Sequence, residues 1–172
     1  MRIVKQLTNN KFINIKEIKD PENNIKGYQF AERLGRDSVA FICYDTNTKK
    51  VLLNKELKPP IDSMVLGAFG GSIDKDKILI DIVIGEVKEE AGFVVGTKDI
   101  KYLGRTLVST QMNQYCYLYL VFVDRNKQVE REPENEIEKL AITSWHLLSE
   151  INKLEDWKPI VIIAKAQEKN IL

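Results

Sequence analysis

Apolar and polar residues alternate through "KFINIKEIKD", the period-two signature of an edge strand. The turn cluster "PENNIKG" follows, and "YQFAERLGR" leads into the apolar run "SVAFICYD". That run and "KKVLLNKEL" flank "TNT", which predicts a hairpin. The Pro/Gly-rich stretch "KPPIDSMVLGAFGGSID" is expected to hold little regular structure. The period then changes. Ile80, Val83, Ile84, Val87 and Ala91 recur at helical spacing as a buried stripe, Asp76 offers a cap, and Gly92 is a fitting stop. Strand-like "IKYLGRTLVS" and "YCYLYLVFVD", the charged loop "RNKQVEREPENEIEK" and the strand-like "LAITSWHLL" come next. A closing helix over "KPIVIIAKAQEKN" has Pro159 near its first turn. Strands bracketing two helices, without internal repeats, predict an α/β sandwich with mixed sheets.

Composition narrows this picture more than it extends it. At 172 residues, 44% hydrophobic and 30% charged, the chain is long enough for one full core and too short for two comfortable ones. The 26 basic and 25 acidic residues give a net charge of +1, which argues against a nucleic-acid or membrane-surface binder working by bulk electrostatics. "MRIVKQLTNN" lacks the apolar core of a signal peptide, and no apolar run approaches the roughly 20 residues of a membrane span, so a cytoplasmic location is expected. Cys43 and Cys116 lie far apart in apolar runs without metal-ligand spacing, and are expected to be buried free thiols.

The chemistry is concentrated in residues 71–93, "GSIDKDKILIDIVIGEVKEEAGF". Glu86, Glu89 and Glu90 share one helical face, expected roughly opposite the apolar stripe, and the Glu86/Glu90 pair costs about 0.2–0.5 kcal/mol in repulsion. A hard divalent cation would offset that cost, because Mg²⁺ and Mn²⁺ take oxygen ligands and keep waters that a phosphate substrate displaces. At these residues the chain resembles the Nudix hydrolase family, whose box reads G-x5-E-x7-R-E-U-x-E-E-x-G-U with U apolar. Gly71, Glu86, Val87, Glu89, Glu90, Gly92 and Phe93 fall in register. Lys77 stands where the box has glutamate, and Gly85 where it has arginine.

The resemblance implies a Nudix α/β/α sandwich with mixed sheets and a loop-helix-loop box, residues 36–172, preceded by an N-terminal β segment, residues 1–35, that pairs with a second subunit. More loosely, residues 37–150 look like the ADP-ribose and nucleoside-diphosphate-sugar branch. That implies a small-molecule substrate in which a nucleoside diphosphate is linked to another group, cut by water at phosphorus. By the resemblance Glu86, Glu89 and Glu90, helped by the Gly71 carbonyl, hold Mg²⁺ or Mn²⁺, with Glu89 also catalytic. A general base is expected from "EREPENE", where Glu130, Glu132, Glu134 and Glu136 are available and spacing favours Glu134. Tyr28, Phe30 and Arg36 are expected substrate contacts. Tyr115 and Tyr117 are candidates to stack on a base but are expected in the core or on the sheet surface, and Arg105 is expected to meet either a phosphate or a surface carboxylate. His146, the sole histidine, is expected on a strand surface. Loss of the box arginine at Gly85 removes an anchor for the glutamates and adds roughly 1 kcal/mol of helix cost relative to Ala. Lys77 either loses a carboxylate or supplies a replacement ion pair. The departures keep a second reading open, a catalytically weakened or inactive nucleotide-binding module. A pure interaction protein would require the full register to be coincidence.

Overall fold

The computed structural model describes residues 1–33, 35, 37–73 and 77–172. At its centre β4 (Ser38–Asp45) pairs in parallel with β8 (Tyr115–Val123), in a register that sets Ser38 beside Cys116 and Asp45 beside Val123. Both strands are apolar on both faces. Val39, Phe41 and Cys43 of β4, with Tyr119 and Val121 of β8, pack into one core, and Ala40, Ile42, Leu118 and Leu120 into another. A strand that feeds two cores reads as a continuous apolar run rather than an alternation. The first core is closed by α1 (Leu79–Glu86) and the turn after it, the second by α3 (Trp157–Glu168) through Ile162, Ile163 and Ala166. The six-stranded sheet therefore lies between two helical layers, the α/β/α sandwich expected.

The path of β5 (Lys50–Lys58) creates the opening in which the site sits. It is antiparallel to β4 only over Lys50–Leu52, and from Asn54 onward it pairs with β6 (Ser63–Gly67) instead. Its other edge carries β9 (Ile142–Leu147), and β7 (Ile100–Leu107) completes the sheet beside β8. The glycine loop fills the edge of β4 that β5 has left. Phe69 exchanges backbone hydrogen bonds with Phe41 at 3.0 Å in each direction, and the Val39 N–H donates to the Gly71 carbonyl at 2.9 Å. β6 corrects the expectation of an irregular 58–74 stretch. Pro59–Ile61 form a single 3₁₀ turn and Asp62 takes a left-handed φ of 47°, so the two prolines close a hairpin rather than break a strand.

Three further differences concern boundaries. "KFINIKEIKD" gives β2 (Ile13–Asp20), but as the middle strand of a separate antiparallel sheet, not an edge. It is flanked by β1 (Ile3–Gln6), hidden in a stretch whose composition reads as polar, and by β3 (Ile25–Arg33). A third short helix, α2 (Glu136–Leu140), lies inside the charged loop, capped by the Asn135 side chain, which accepts from the Ile137 and Glu138 N–H groups. The N-terminal sheet is tied to the β7–β8 connection. The Ala31 N–H donates to Gln111 O at 2.8 Å, Tyr28 Oη to Thr110 O at 2.9 Å, and Asn113 Nδ2 to Glu32 Oε1 at 2.9 Å. Cys43 and Cys116 are buried and free. Among the described residues no helix is long and apolar enough to cross a membrane.

Candidate active site

α1 ends at Glu86 and continues as one π-helical turn, Val87–Ala91, before Gly92 closes it with a φ of +72°. A β-carbon at Gly92 would also stand 2.4 Å from Val129 O, so the stop is set by backbone and by crowding together. The π turn corrects the expected geometry of the glutamates. Hydrogen bonding from i to i+5 inserts an extra residue per turn, so side chains beyond it no longer follow the 3.6 period. Glu86 and Glu89 remain half-buried, but Glu90 turns inward to 7% exposure, and its Oε2 accepts the Gly70 N–H at 3.1 Å. The three carboxylates do not all face away from the apolar stripe.

Gly71 is the second fixed point. A β-carbon there would stand 1.7 Å from Glu86 Oε1, so the loop approaches the carboxylate as closely as it does only without a side chain. Its carbonyl accepts the Val39 N–H, and among the described residues no second donor meets it. We expect Gly71→Ala to displace the Glu86 carboxylate and lower turnover roughly 100-fold, the scale of an ångström-sized misplacement at a reacting centre. Steady-state kinetics beside an unchanged circular dichroism spectrum checks this.

The loop after β8 crosses over the helix end and brings more acid to it. The Val129 N–H donates to Gly92 O at 2.8 Å and the Glu132 N–H to Glu89 O at 2.9 Å. All four glutamates considered for the base are exposed; Glu132 pairs with Lys88 at 2.9 Å and Glu136 with Lys139 at 2.6 Å. Glu134 lines a cleft of about 570 Å³ together with Glu86, Glu90 and Gly71. So does Glu138, which the sequence reading passed over. Its Oε2 accepts the Glu134 N–H at 2.7 Å and its Oε1 accepts from Asn135 Nδ2, so the helix cap that orders α2 also fixes Glu134. An Asn followed three residues on by Glu was the available signal, a capping pattern inside a stretch read only for its charge.

Crowding raises the affinity of these carboxylates for protons. Burial, then Glu89, Glu138 and Glu134, push Glu86 up to about 7. Burial and Glu86 push Glu90 up to about 8 against the opposing Gly70 hydrogen bond, and burial with Glu134 and Glu138 raises Glu89. Lys77 acts in the opposite direction on Glu86 and Glu89. Among the described residues no three acidic, histidine or cysteine side chains are drawn together as a closed ligand set. The donor chemistry nevertheless fits a hard cation, because the groups meeting at Gly71 are all oxygens and their mutual repulsion is what a cation neutralises.

A sign follows for stability. A carboxyl whose folded pKa lies above its unfolded value binds more protons when folded, so the contribution of Glu86 and Glu90 to stability is fullest below about pH 4.5 and is lost as pH rises through about 7 and 8. We expect the melting temperature of the metal-free protein to fall between pH 5 and 9 through these groups. Millimolar Mg²⁺ should flatten that fall, in differential scanning fluorimetry with and without chelator.

The remaining expected contacts divide. Arg36 and Asp76 lie outside the described residues. Tyr28 and Phe30 sit on the N-terminal sheet, Tyr28 with its hydroxyl on Thr110 O, and neither lines the cleft of its own chain. Arg33 does line it, with its guanidinium donating to Ser72 Oγ at 3.1 Å. Arg105 is exposed over the Tyr115 ring at 4.1 Å. His146 lies on β9 within 2.7 Å of Ser144 Oγ. Among the described residues, a β-carbon at Gly85 would meet Glu89 Oε1 alone, at 3.8 Å.

Among solved structures, the crystal structure of an ADP compounds hydrolase superposes with a TM-score of 0.76 at 15% identity, covering 96% of this chain and 90% of that one. A search of curated proteins gave no match. The family model of the NUDIX domain matches residues 35–164, which spans the box, the sheet and most of α3, and the chain belongs to that family.

Proposed function

We propose that the chain is a Mg²⁺- or Mn²⁺-dependent pyrophosphohydrolase that cuts a nucleoside diphosphate linked to a second group, of the ADP-ribose or nucleotide-sugar kind, by attack of water at one phosphorus. The observation that supports this reading is the approach of Glu86 and Glu90 to the Gly70–Gly71 loop, in a cleft that Glu134 and Glu138 also line, with Glu89 acting electrostatically on Glu86. Family membership supports the reaction type. The substrate class rests on the likeness to the ADP compounds hydrolase and on the sequence resemblance.

Glu86, Glu89, Glu90 and the Gly71 carbonyl would hold the cation. When bound it supplies charge neutralisation on the diphosphate and a more acidic water. The chain's own residues do the rest. The Gly70 N–H fixes the Glu90 carboxylate, and the Asn135–Glu138 cap holds Glu134 at the rim, where it accepts the proton of the attacking water. A panel of nucleoside diphosphate compounds with Mg²⁺ or Mn²⁺, read by mass spectrometry, tests the reading. A nucleoside monophosphate appearing only with the cation supports it. Lys77 and Gly85 favour one rival, a module that binds such a nucleotide without cutting it, which would show affinity and no product.

The active unit is read as a homodimer. The N-terminal sheet exposes Ile3, Val4 and Ile13, and Phe12 precedes β2, each between 46% and 62% accessible, on a segment with little core of its own. Light scattering at micromolar concentration is expected to give twice the 19.8 kDa chain mass, and a monomer would exclude it.

A further inference from the structure

We propose that Asp156, at the start of α3, is a positioning residue of the site: from the helical layer opposite the glutamates it sets the height of the glycine loop against Glu90 and Glu86. The inference rests on the hydrolase reading for its effect on turnover, but not for its geometry. Phe69 turns its own backbone N–H and carbonyl toward Phe41 of β4, so the N–H groups on either side of it, those of Ala68 and Gly70, point away from that strand. Carboxyl groups from two different layers meet them. The Gly70 N–H donates to Glu90 Oε2 at 3.1 Å, from the side of α1, and the Ala68 N–H donates to Asp156 Oδ2 at 3.1 Å, from the side of α3. The loop is therefore slung between the two helical layers.

Asp156 is a rigid anchor. Its side chain is 8% exposed, Oδ1 accepts the Lys158 N–H at 3.1 Å as the N-cap bond of α3, and Lys158 Nζ lies 3.0 and 3.1 Å from the two carboxylate oxygens. A carboxylate fixed by a helix end and an ammonium group holds its further N–H partner in one place. Gly67 bears the mark of the same contact. A β-carbon there would land on Asp156 Oδ2, so the chain enters the loop without a side chain where the carboxylate comes in. Ala68 lies just upstream of Gly70 and Gly71, and a shift at Ala68 is passed on to the Glu90 bond and to the close approach of Gly71 to Glu86. Asp156 thus acts through the loop, not on a ligand.

The experiment compares wild type, Asp156→Ser, Gly67→Ala and the double variant, all as the full chain. Serine still caps α3 but is a bond shorter and cannot also reach the Ala68 N–H, whereas Gly67→Ala keeps residue 156 and displaces its carboxylate. The readouts are amide hydrogen exchange of the metal-free protein, Mn²⁺ calorimetry without substrate, and kinetics on ADP-ribose in Mg²⁺. In each single variant the Ala68 and Gly70 amides are expected to exchange roughly 10-fold faster while the amides of α3 keep their protection, the low end of the scale of one charged hydrogen bond. Mn²⁺ binding should weaken and kcat should fall by roughly the same factor, with little change in KM. The double should be no worse than the worse single, because both changes remove one contact. A helix cap and nothing more would instead expose α3, leave Gly70 protected and add to the effect of Gly67→Ala. Should Asp156→Ser fail to fold, Gly67→Ala and Asp156→Asn carry the comparison; asparagine has one acceptor oxygen where the carboxylate uses two, so an intermediate rise in exchange at Gly70 is expected. Wild-type exchange at Gly70 in a folded variant overturns the proposal, as does unaltered Mn²⁺ affinity or strict additivity in the double. A wild type that binds Mn²⁺ but cleaves nothing overturns the hydrolase reading alone, and exchange and calorimetry still decide Asp156. A wild type that binds no Mn²⁺ also overturns that reading, and exchange at Gly70 then decides Asp156.

Discussion

Glu90→Gln is expected to abolish hydrolysis while making the metal-free protein more stable. Glutamine keeps the shape, and its amide oxygen still accepts the Gly70 N–H that Glu90 Oε2 now holds at 3.1 Å. What it removes is a charge in a site 7% exposed and close to Glu86. Turnover should fall by at least about 100-fold, the scale seen when one group that stabilises transition-state charge is lost. Stability should move the other way. With Glu90 pushed up to about 8, its carboxyl in the metal-free protein is largely protonated at pH 7 and must be forced to ionise above it. The variant escapes that cost, so its advantage over wild type should widen from pH 7 to pH 9, at about 2–4 °C of melting temperature per kcal/mol for a chain of this size. Glu89→Gln should lose activity to the same degree with less gain in stability, because Glu89 is only half-buried. Both variants turning over substrate at the wild-type rate would remove the carboxylate cluster from the chemistry.

The two box departures are expected to be coupled. Lys77 lowers the pKa of both Glu86 and Glu89, so it supplies positive charge to the face that the missing arginine left without it. Lys77→Glu alone should therefore cripple activity, since it adds a fourth carboxylate to that face. Gly85→Arg alone meets no steric bar, the nearest atom to a β-carbon being Glu89 Oε1 at 3.8 Å, and residue 89 is the i+4 neighbour an arginine at 85 would reach. It should add roughly 1 kcal/mol from helix propensity and hold Glu89 in one rotamer. In the double variant the arginine answers the new carboxylate, so the double should exceed the sum of the singles in Mg²⁺ affinity and kcat/KM. A double-mutant cycle on ADP-ribose at several Mg²⁺ concentrations measures this, and strict additivity would mean that Lys77 and residue 85 do not share the cluster.

These expectations start from residues that were legible in the chain alone, and the reasons differ by residue. The box was readable because its glycines and glutamates are placed by local sequence spacing, and Gly71 and Gly92 are both demanded by close approach of other atoms. The two-faced strands β4 and β8 were readable because dense apolar composition survives any uncertainty of register. The inward turn of Glu90 was not, because a 3.6-residue period carries no sign of a π turn, and only packing against the sheet and the Gly70 donor reveals it. β6 was hidden by two prolines that serve a turn. That Arg33 lines the cleft is not legible locally, because it depends on the long-range register of β3 against β2.

The central claim, that this carboxylate cluster directs water at a phosphorus of a nucleoside diphosphate compound, is tested most directly by hydrolysis in ¹⁸O-labelled water with Mg²⁺, followed by mass spectrometry of the products. The account predicts one ¹⁸O atom in one of the two phosphorylated products, formed by wild type, absent with chelator and absent in Glu90→Gln. Unlabelled products, or equal product from Glu90→Gln, would contradict it.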